Sequence, residues 1–192
     1  MAQRIILYGG SFNPPTIAHE AIIRACLALP GFDEVWVMPS RTREDKEITV
    51  SDDNRLQMLY ILQQYAFAGE RRLKITDFEL KLPAPTRTAR TLPALAAAYP
   101  GTEFWLALGG DSYRSLPEWP DAASFMHDIR VVLFSEDGEG LAENDHLVHL
   151  HLPQEVWTVS STEARALLSA GQDARAVVRQ PVLDYIARHH LY

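Results

Sequence analysis

Short apolar runs alternate with segments of helical spacing along this chain, and that alternation restricts the fold more than any other feature. Arg4–Tyr8 is an apolar run stopped by Gly9-Gly10, and Glu34–Met38 is another, closed by Pro39. Leu73–Thr76, Glu103–Leu108 and Arg130–Phe134 follow, and His149–Val159 holds one or two more. Runs this short, rich in β-branched and aromatic residues, read as strands. Between them, Ile17–Leu29, Ser51 to about Gly69, Thr88–Tyr99, Ala122–His127, Thr162–Ala170 and Pro181–His189 read as helices. Ser51-Asp52-Asp53 marks a helix start, since acids suit the positive end of a helix. Pro30-Gly31 and Pro100-Gly101 mark helix ends. The alternation predicts an α/β, Rossmann-like fold: a mainly parallel sheet with helices on both faces. A single domain over residues 1–192 is expected, with a small C-terminal helical portion at about 160–192, because no linker or repeat divides the chain. Ligands of such sheets sit outside the carboxyl ends of the strands, near the topological switch point. That rule selects Gly9–His19, Gly109–Trp119 and Ser160–Arg165.

Composition narrows the ligand. The chain is 192 residues long, 47% apolar, with a formal net charge of −7. An acidic surface disfavours polymeric nucleic acid and anionic membranes, which are held by a surplus of Lys and Arg. A small anion needs only a local basic pocket. Cys26 is the lone cysteine and reads as a packed core thiol. With no secretory signal at Met1–Tyr8 and no apolar stretch of spanning length, a cytoplasmic protein is expected. Arg41–Val50 is charged and without period, so it is expected as an exposed, mobile loop. Ser135–Asn144 reads as an acidic loop. His149 and His151 would share a face of a strand, but no Cys or carboxylate stands at ligand spacing beside them, so no metal site is expected. Glu20 reads as a helix-surface acid. There is no Walker loop, nucleophile elbow or Cys/His dyad signal.

Two segments carry phosphate chemistry. In Gly9-Gly10-Ser11-Phe12-Asn13-Pro14-Pro15-Thr16-Ile17-Ala18-His19, two glycines let backbone approach a ligand and a helix start offers free N–H groups. Thr16 and His19 share a helix face near that end, and His19 can donate a hydrogen bond to a phosphate oxygen. A plain glycine turn with a core histidine is the competing reading. Val159-Ser160-Ser161-Thr162-Glu163-Ala164-Arg165 opens a second helix after a strand. Ser160 and Glu163 have capping-box spacing, which alone accounts for them. Three hydroxyls at a helix start, with the Arg165 fork within reach, also make a phosphate site.

Together these segments resemble the signature of the nucleotidyltransferases of the class I aminoacyl-tRNA synthetase superfamily. That signature is Gly-Gly-[Ser/Thr]-Phe-[Asp/Asn]-Pro, then [His/Thr]-x-Gly-His, then Ile-Ser-Ser-Thr-x-[Ile/Val]-Arg. Gly9 to Pro14, Thr16 and His19 fit, while Ala18 stands where Gly is usual and narrows the approach to a nucleotide. The resemblance implies that Gly9, Gly10, Ser11, Phe12, Thr16, Ser160, Ser161 and Thr162 bind ATP, with Arg165 on the triphosphate.

The middle of the chain resembles one branch, the nicotinate (nicotinamide) mononucleotide adenylyltransferases. Gly109-Gly110-Asp111-Ser112 followed by Leu116-Pro117-Glu118-Trp119 is similar to its Gly-x-Asp-Ser and Leu-Pro-x-Trp. Thr86–Leu92 is similar to its Ser-Tyr-Thr-x-x-Thr-Leu, Arg55–Met58 to its Arg-x-x-Met, and Val178–Tyr192 to its closing helix. The resemblance implies a mononucleotide site at Thr88, Gly109, Asp111 and Trp119, with the indole stacked on the pyridine ring. A turn acid and a core aromatic are the competing readings of Asp111 and Trp119. Arg87 replaces the branch's Tyr; its cation either favours an acidic ring substituent or points into solvent. The branch's Pro-Pro-His-Lys is altered to Arg43-Glu44-Asp45-Lys46, where Lys46 is expected to supply a lid cation.

The implied reaction is adenylyl transfer from ATP to nicotinate mononucleotide, giving deamido-NAD and pyrophosphate in NAD biosynthesis. His19, Arg165 and Lys46 would stabilise phosphate charge, and Mg2+ would arrive on ATP rather than in a protein cage. The alternatives are nicotinamide mononucleotide as acceptor, another acceptor such as phosphopantetheine, or a nucleotide-binding relative that acts as sensor or scaffold without turnover. Oligomeric state is not legible.

Overall fold

The structure is a computed structural model that describes residues 2–41, 50–135, 144–152 and 154–192. Six strands form one parallel sheet: β1 (Gln3–Gly10), β2 (Glu34–Pro39), β3 (Leu73–Ile75), β4 (Thr102–Gly109), β5 (Arg130–Phe134) and β6 (Leu147–His149). Their order is β3-β2-β1-β4-β5-β6, and every neighbouring pair is parallel. The chain steps outward from β1 to β3, then returns to β4 on the other side of β1. The crevice beyond the carboxyl ends of β1 and β4 is therefore the switch point at which such sheets take their ligands.

The strands are apolar on both faces because both are covered. Successive side chains point to opposite faces, and the core divides accordingly. Ile6, Tyr8, Val35, Val37, Ala107, Val132 and Phe134 pack on one side against Ile22, Ile23 and Cys26 of α1 (Ile17–Ala28). Ile5, Leu7, Trp36, Met38, Leu106, Leu108 and Leu133 pack on the other with Leu95 of α4 (Thr88–Ala98), the helix that follows α3 (Phe78–Lys81). A third cluster joins Met58 and Leu62 of α2 (Asp52–Ala66) to the C-terminal helices. Beyond α5 (Gly110–Arg114), those are α6 (Ser161–Ser169) and α7 (Gln180–Arg188). Ala164, Val182 and Ile186 bring them onto α2.

Three readings of the sequence need correction. Ala122–His127 forms only a 3-10 turn at Ala122–Ser124. The strand expected within His149–Val159 lies earlier, at Leu147–His149, and Gln154–Thr158 is another 3-10 turn. β6 thus ends at His149 and His151 lies beyond it. Glu20 is not a surface acid. It is buried, 4% exposed, and accepts hydrogen bonds from Arg24 and from Arg179 before α7. Burial pushes its carboxyl up, but the hydrogen bonds from Arg179 and Arg24 outweigh this and hold it below its ordinary value. Helical periodicity missed it because an ion pair covers the charge from outside the helix. The acidic loop Ser135–Asn144 falls mostly outside the described residues.

Leu133 is fully buried on β5. Leu133→Ala leaves a cavity that parallel strands on both sides cannot close, so a loss of about 2–5 kcal/mol is expected. Urea unfolding should show it as a lower midpoint with unchanged slope.

Candidate active site

β1 ends in Gly9-Gly10 at the switch point, and the segment from Ser11 to Thr16 leads into α1. Phe12 takes a φ of +47°, a backbone conformation that side chains rarely adopt. Its ring is buried beside Gly10, where an added Cβ would lie 3.1 Å from the ring. Gly10 is therefore needed for this loop to fold back on its own phenylalanine. The ring meets Tyr8 edge-on at 5.4 Å and lies 5.0 Å from the His19 ring. Phe12 thus gives its side chain to the core, under the histidine.

Thr16 caps α1, and its backbone N–H donates to Nδ1 of His19 at 2.9 Å. The Thr16 hydroxyl stands 2.8 Å from the same nitrogen. Because Nδ1 accepts, the neutral ring carries its proton on Nε2, an assignment made from the hydrogen-bond pattern. Burial holds the imidazole neutral, with its pKa lowered to about 4. His19 is accordingly a fixed, uncharged N–H donor near pH 7. Ala18 is buried in the same turn.

The start of α6 lies against this loop. Arg165 donates to the carbonyl of Asn13 at 2.9 Å and to the Thr162 hydroxyl at 3.2 Å. Ser161 donates to the carbonyl of Pro14 at 2.8 Å. Ser160 caps α6, accepting from the Glu163 N–H at 3.1 Å. The capping reading of Ser160 therefore holds, and Ser161 ties two segments 147 residues apart. From α7 onward, Tyr192 donates to the Asn13 side chain at 2.6 Å. The two stretches selected from sequence are thus brought together.

A cavity of about 440 Å³ opens beside them, lined by Gly9, Gly10 and Ser11 from β1 and its loop and by Leu106–Leu108 of β4. Thr88 and Trp119 also line it. Trp119 is held by a hydrogen bond from its indole N–H to Ser115 at 3.3 Å. Gly109 packs against Phe134, whose ring would lie 3.2 Å from an added Cβ. Asp111 lies on the first turn of α5, exposed and ion-paired with Arg114, and does not line this cavity. Lys46, and with it the stretch from Arg43, lies outside the described residues.

Three residues shape the site without having been singled out for it. Arg55 is fully buried in α2 and donates to the carbonyls of Ser11 (2.5 Å) and Ser40 (2.6 Å) and to Asp52 (2.6 Å). It holds together the loops that leave β1 and β2; the Arg-x-x-Met spacing was its only sequence signal. Glu79 of α3 lines the cavity and accepts from the Arg41 N–H and the Thr86 and Thr91 hydroxyls. Burial raises its pKa. Arg41 donates to the carbonyls of Leu80 and Leu82. α3 is one turn long, too short for a period to reveal it.

Arg55→Ala leaves a buried carbonyl pair and Asp52 without their donor, so a loss of about 3–5 kcal/mol is expected in urea unfolding. An unchanged midpoint would contradict the clamp. For His19, the folded pKa of about 4 lies below the ordinary 6.5. The unfolded chain then binds the proton more readily, so this stabilisation is present above pH 6.5 and is lost as pH falls toward 4. His19→Asn should flatten stability over that window, and an NMR titration should find His19 neutral at pH 6.

Comparison with known proteins agrees with this geometry. The family model described as cytidylyltransferase-like matches residues 7–167. A protein of Chlorobaculum parvum named "Probable nicotinate-nucleotide adenylyltransferase" is 33% identical over 99% of this chain and 99% of its own length. One of the same name from Albidiferax ferrireducens is 33% identical over 99% and 98%. The Plasmodium falciparum nicotinic acid mononucleotide adenylyltransferase, solved complexed with NaAD, superposes with a TM-score of 0.83 at 23% identity, covering 99% of this chain and 97% of that one. It establishes the shared Rossmann-like fold. The chain belongs to the cytidylyltransferase-like family, within the group of nicotinate-nucleotide adenylyltransferases.

Proposed function

We propose that this enzyme transfers the adenylyl group of ATP to nicotinate mononucleotide, forming deamido-NAD and pyrophosphate for NAD biosynthesis in the cytoplasm. The observation that carries this reading is the convergence of His19 and Arg165 on one loop, beside a cavity walled by Thr88 and Trp119. The whole chain acts as one domain, with α6 and α7 built onto it as a helical portion.

The chemistry needs no protein nucleophile. A 5′-phosphate oxygen of the mononucleotide attacks the α-phosphorus of ATP, and the bond from that phosphorus to the bridging oxygen breaks. The electron pair leaves with pyrophosphate. Catalysis is then alignment plus stabilisation of charge on phosphate oxygens. Nε2–H of His19 suits the reacting phosphate, since a neutral donor oriented by Thr16 needs no rearrangement. Arg165, held by Asn13 and Thr162, offers a charged fork to the triphosphate. Gly9, Gly10 and Ser11, with Thr16 and the Ser160–Thr162 helix start, form the rest of the ATP site; Phe12 supports it from beneath. Lys46 completes the cations on the strength of its sequence position. Thr88 and Trp119 wall the acceptor site, with the indole as the platform for the pyridine ring, while Gly109 and Asp111 are assigned to it on the strength of their sequence position.

Mg2+ is part of the ATP substrate, carried on phosphate oxygens and water. Among the described residues no group of three His, Cys, Asp or Glu side chains is placed to hold a metal.

His19→Ala should lower kcat for pyrophosphate release by about two orders of magnitude or more, the usual cost of losing one preorganised donor. Turnover near that of the unaltered enzyme would remove His19 from the mechanism and with it the reading of the loop. A folded protein that binds ATP but releases no pyrophosphate with any acceptor would instead be a sensor or scaffold.

A further inference from the structure

Among the described residues, the charged side chains lining the cavity are Arg41, Glu79, Arg87 and Glu118. Two of them are committed to the protein. Arg41 spends its guanidinium on the carbonyls of Leu80 and Leu82, at 3.4 and 2.6 Å. Glu79 is buried and takes three hydrogen bonds, from the Arg41 N–H and from Thr86 and Thr91. Arg87 differs. It is the residue just before α4, its backbone carbonyl receives the N–H groups of Arg90 and Thr91, and its side chain caps nothing. Its guanidinium makes no hydrogen bond or ion pair with any described residue. An unpaired cation at the wall of a cavity that also presents an indole, Trp119, and a hydroxyl, Thr88, is arranged for a planar ligand with an anionic edge.

We propose that Arg87 is the specificity-determining residue for the acceptor, pairing with the carboxylate on the pyridine ring. The inference rests on the acceptor reading above. A guanidinium presents two parallel N–H donors that match a carboxylate's two oxygens. A carboxamide offers one oxygen, no charge, and an NH2 group that faces another donor. The same site therefore separates the acid from the amide by one hydrogen bond and by the charge. Arg87 is exposed, so solvent screens the pair and limits the discrimination.

The test is kcat/KM for nicotinate and nicotinamide mononucleotides with Arg87→Ala and Arg87→Lys, with calorimetric binding of both mononucleotides to each protein. Arg87→Ala should lose about tenfold with nicotinate mononucleotide, change less than about twofold with nicotinamide mononucleotide, and leave KM for ATP unaltered. Arg87→Lys should recover part of the loss, since it keeps the charge without the fork. An equal fall with both acceptors would overturn the proposal, because the guanidinium would then serve the phosphate the two share. No change with either would overturn it in favour of a solvated arginine. If the unaltered enzyme discriminates in turnover but Arg87→Ala retains that ratio, the acceptor reading survives and the role of Arg87 falls. If the unaltered protein neither binds nor turns over either mononucleotide, both fall together.

Discussion

The buried guanidinium of Arg55 is the constraint on which the site depends. It lies inside α2 and bonds outward to Ser11 and Ser40, the residues just beyond β1 and β2. Those segments carry no ladder hydrogen bonds of their own at these carbonyls, so an internal donor must satisfy them. A charge at zero exposure persists because Asp52 and two carbonyls share it. With these loops fixed, β1 can end in a glycine pair, Phe12 can fold beneath Gly10, and His19 has a rigid floor.

A second set of bonds ties the end of the chain to its beginning. Ser161 and Arg165 bond to Pro14 and Asn13, Tyr192 to Asn13, and Arg179 to Glu20 at the start of α1. The Ile17 N–H, one of the free donors at that helix start, goes to the carbonyl of Val177. The C-terminal helices therefore frame the loop after β1 as well as burying the outer face of α2. This also accounts for the spread of the Gly9–His19 and Ser160–Arg165 segments to opposite ends of the sequence: β1 is central, and the chain returns to it last.

Much of this was legible in the residues. The first five strands are legible because each carries a short apolar run, and β5 is bounded correctly at Arg130–Phe134, while β6 meets its expected segment only at His149. The helix starts at Ser51 and Ser160 were found because side-chain caps leave a local signature. What was missed is non-local. Glu20 looks like a surface acid until Arg179, 159 residues away, covers it. Glu79 sits in a one-turn helix whose meaning comes from Thr86, Thr91 and Arg41. Ala122–His127 has helical composition but is held as a 3-10 turn and further turns between Trp119 and β5, where tertiary packing overrides propensity. Arg87 was ambiguous between ligand and solvent because only the fold places it at a cavity.

The central claim is that a phosphate oxygen of the mononucleotide bonds to the α-phosphorus of ATP while pyrophosphate leaves, with both substrates aligned by the loop of β1 and the start of α6. The most direct measurement supplies ATP, Mg2+ and nicotinate mononucleotide whose phosphate carries 18O, and analyses both products by mass spectrometry. Direct attack on the α-phosphorus predicts labelled deamido-NAD and unlabelled pyrophosphate in equal amounts. Absence of the dinucleotide, or label in the pyrophosphate, would contradict the account.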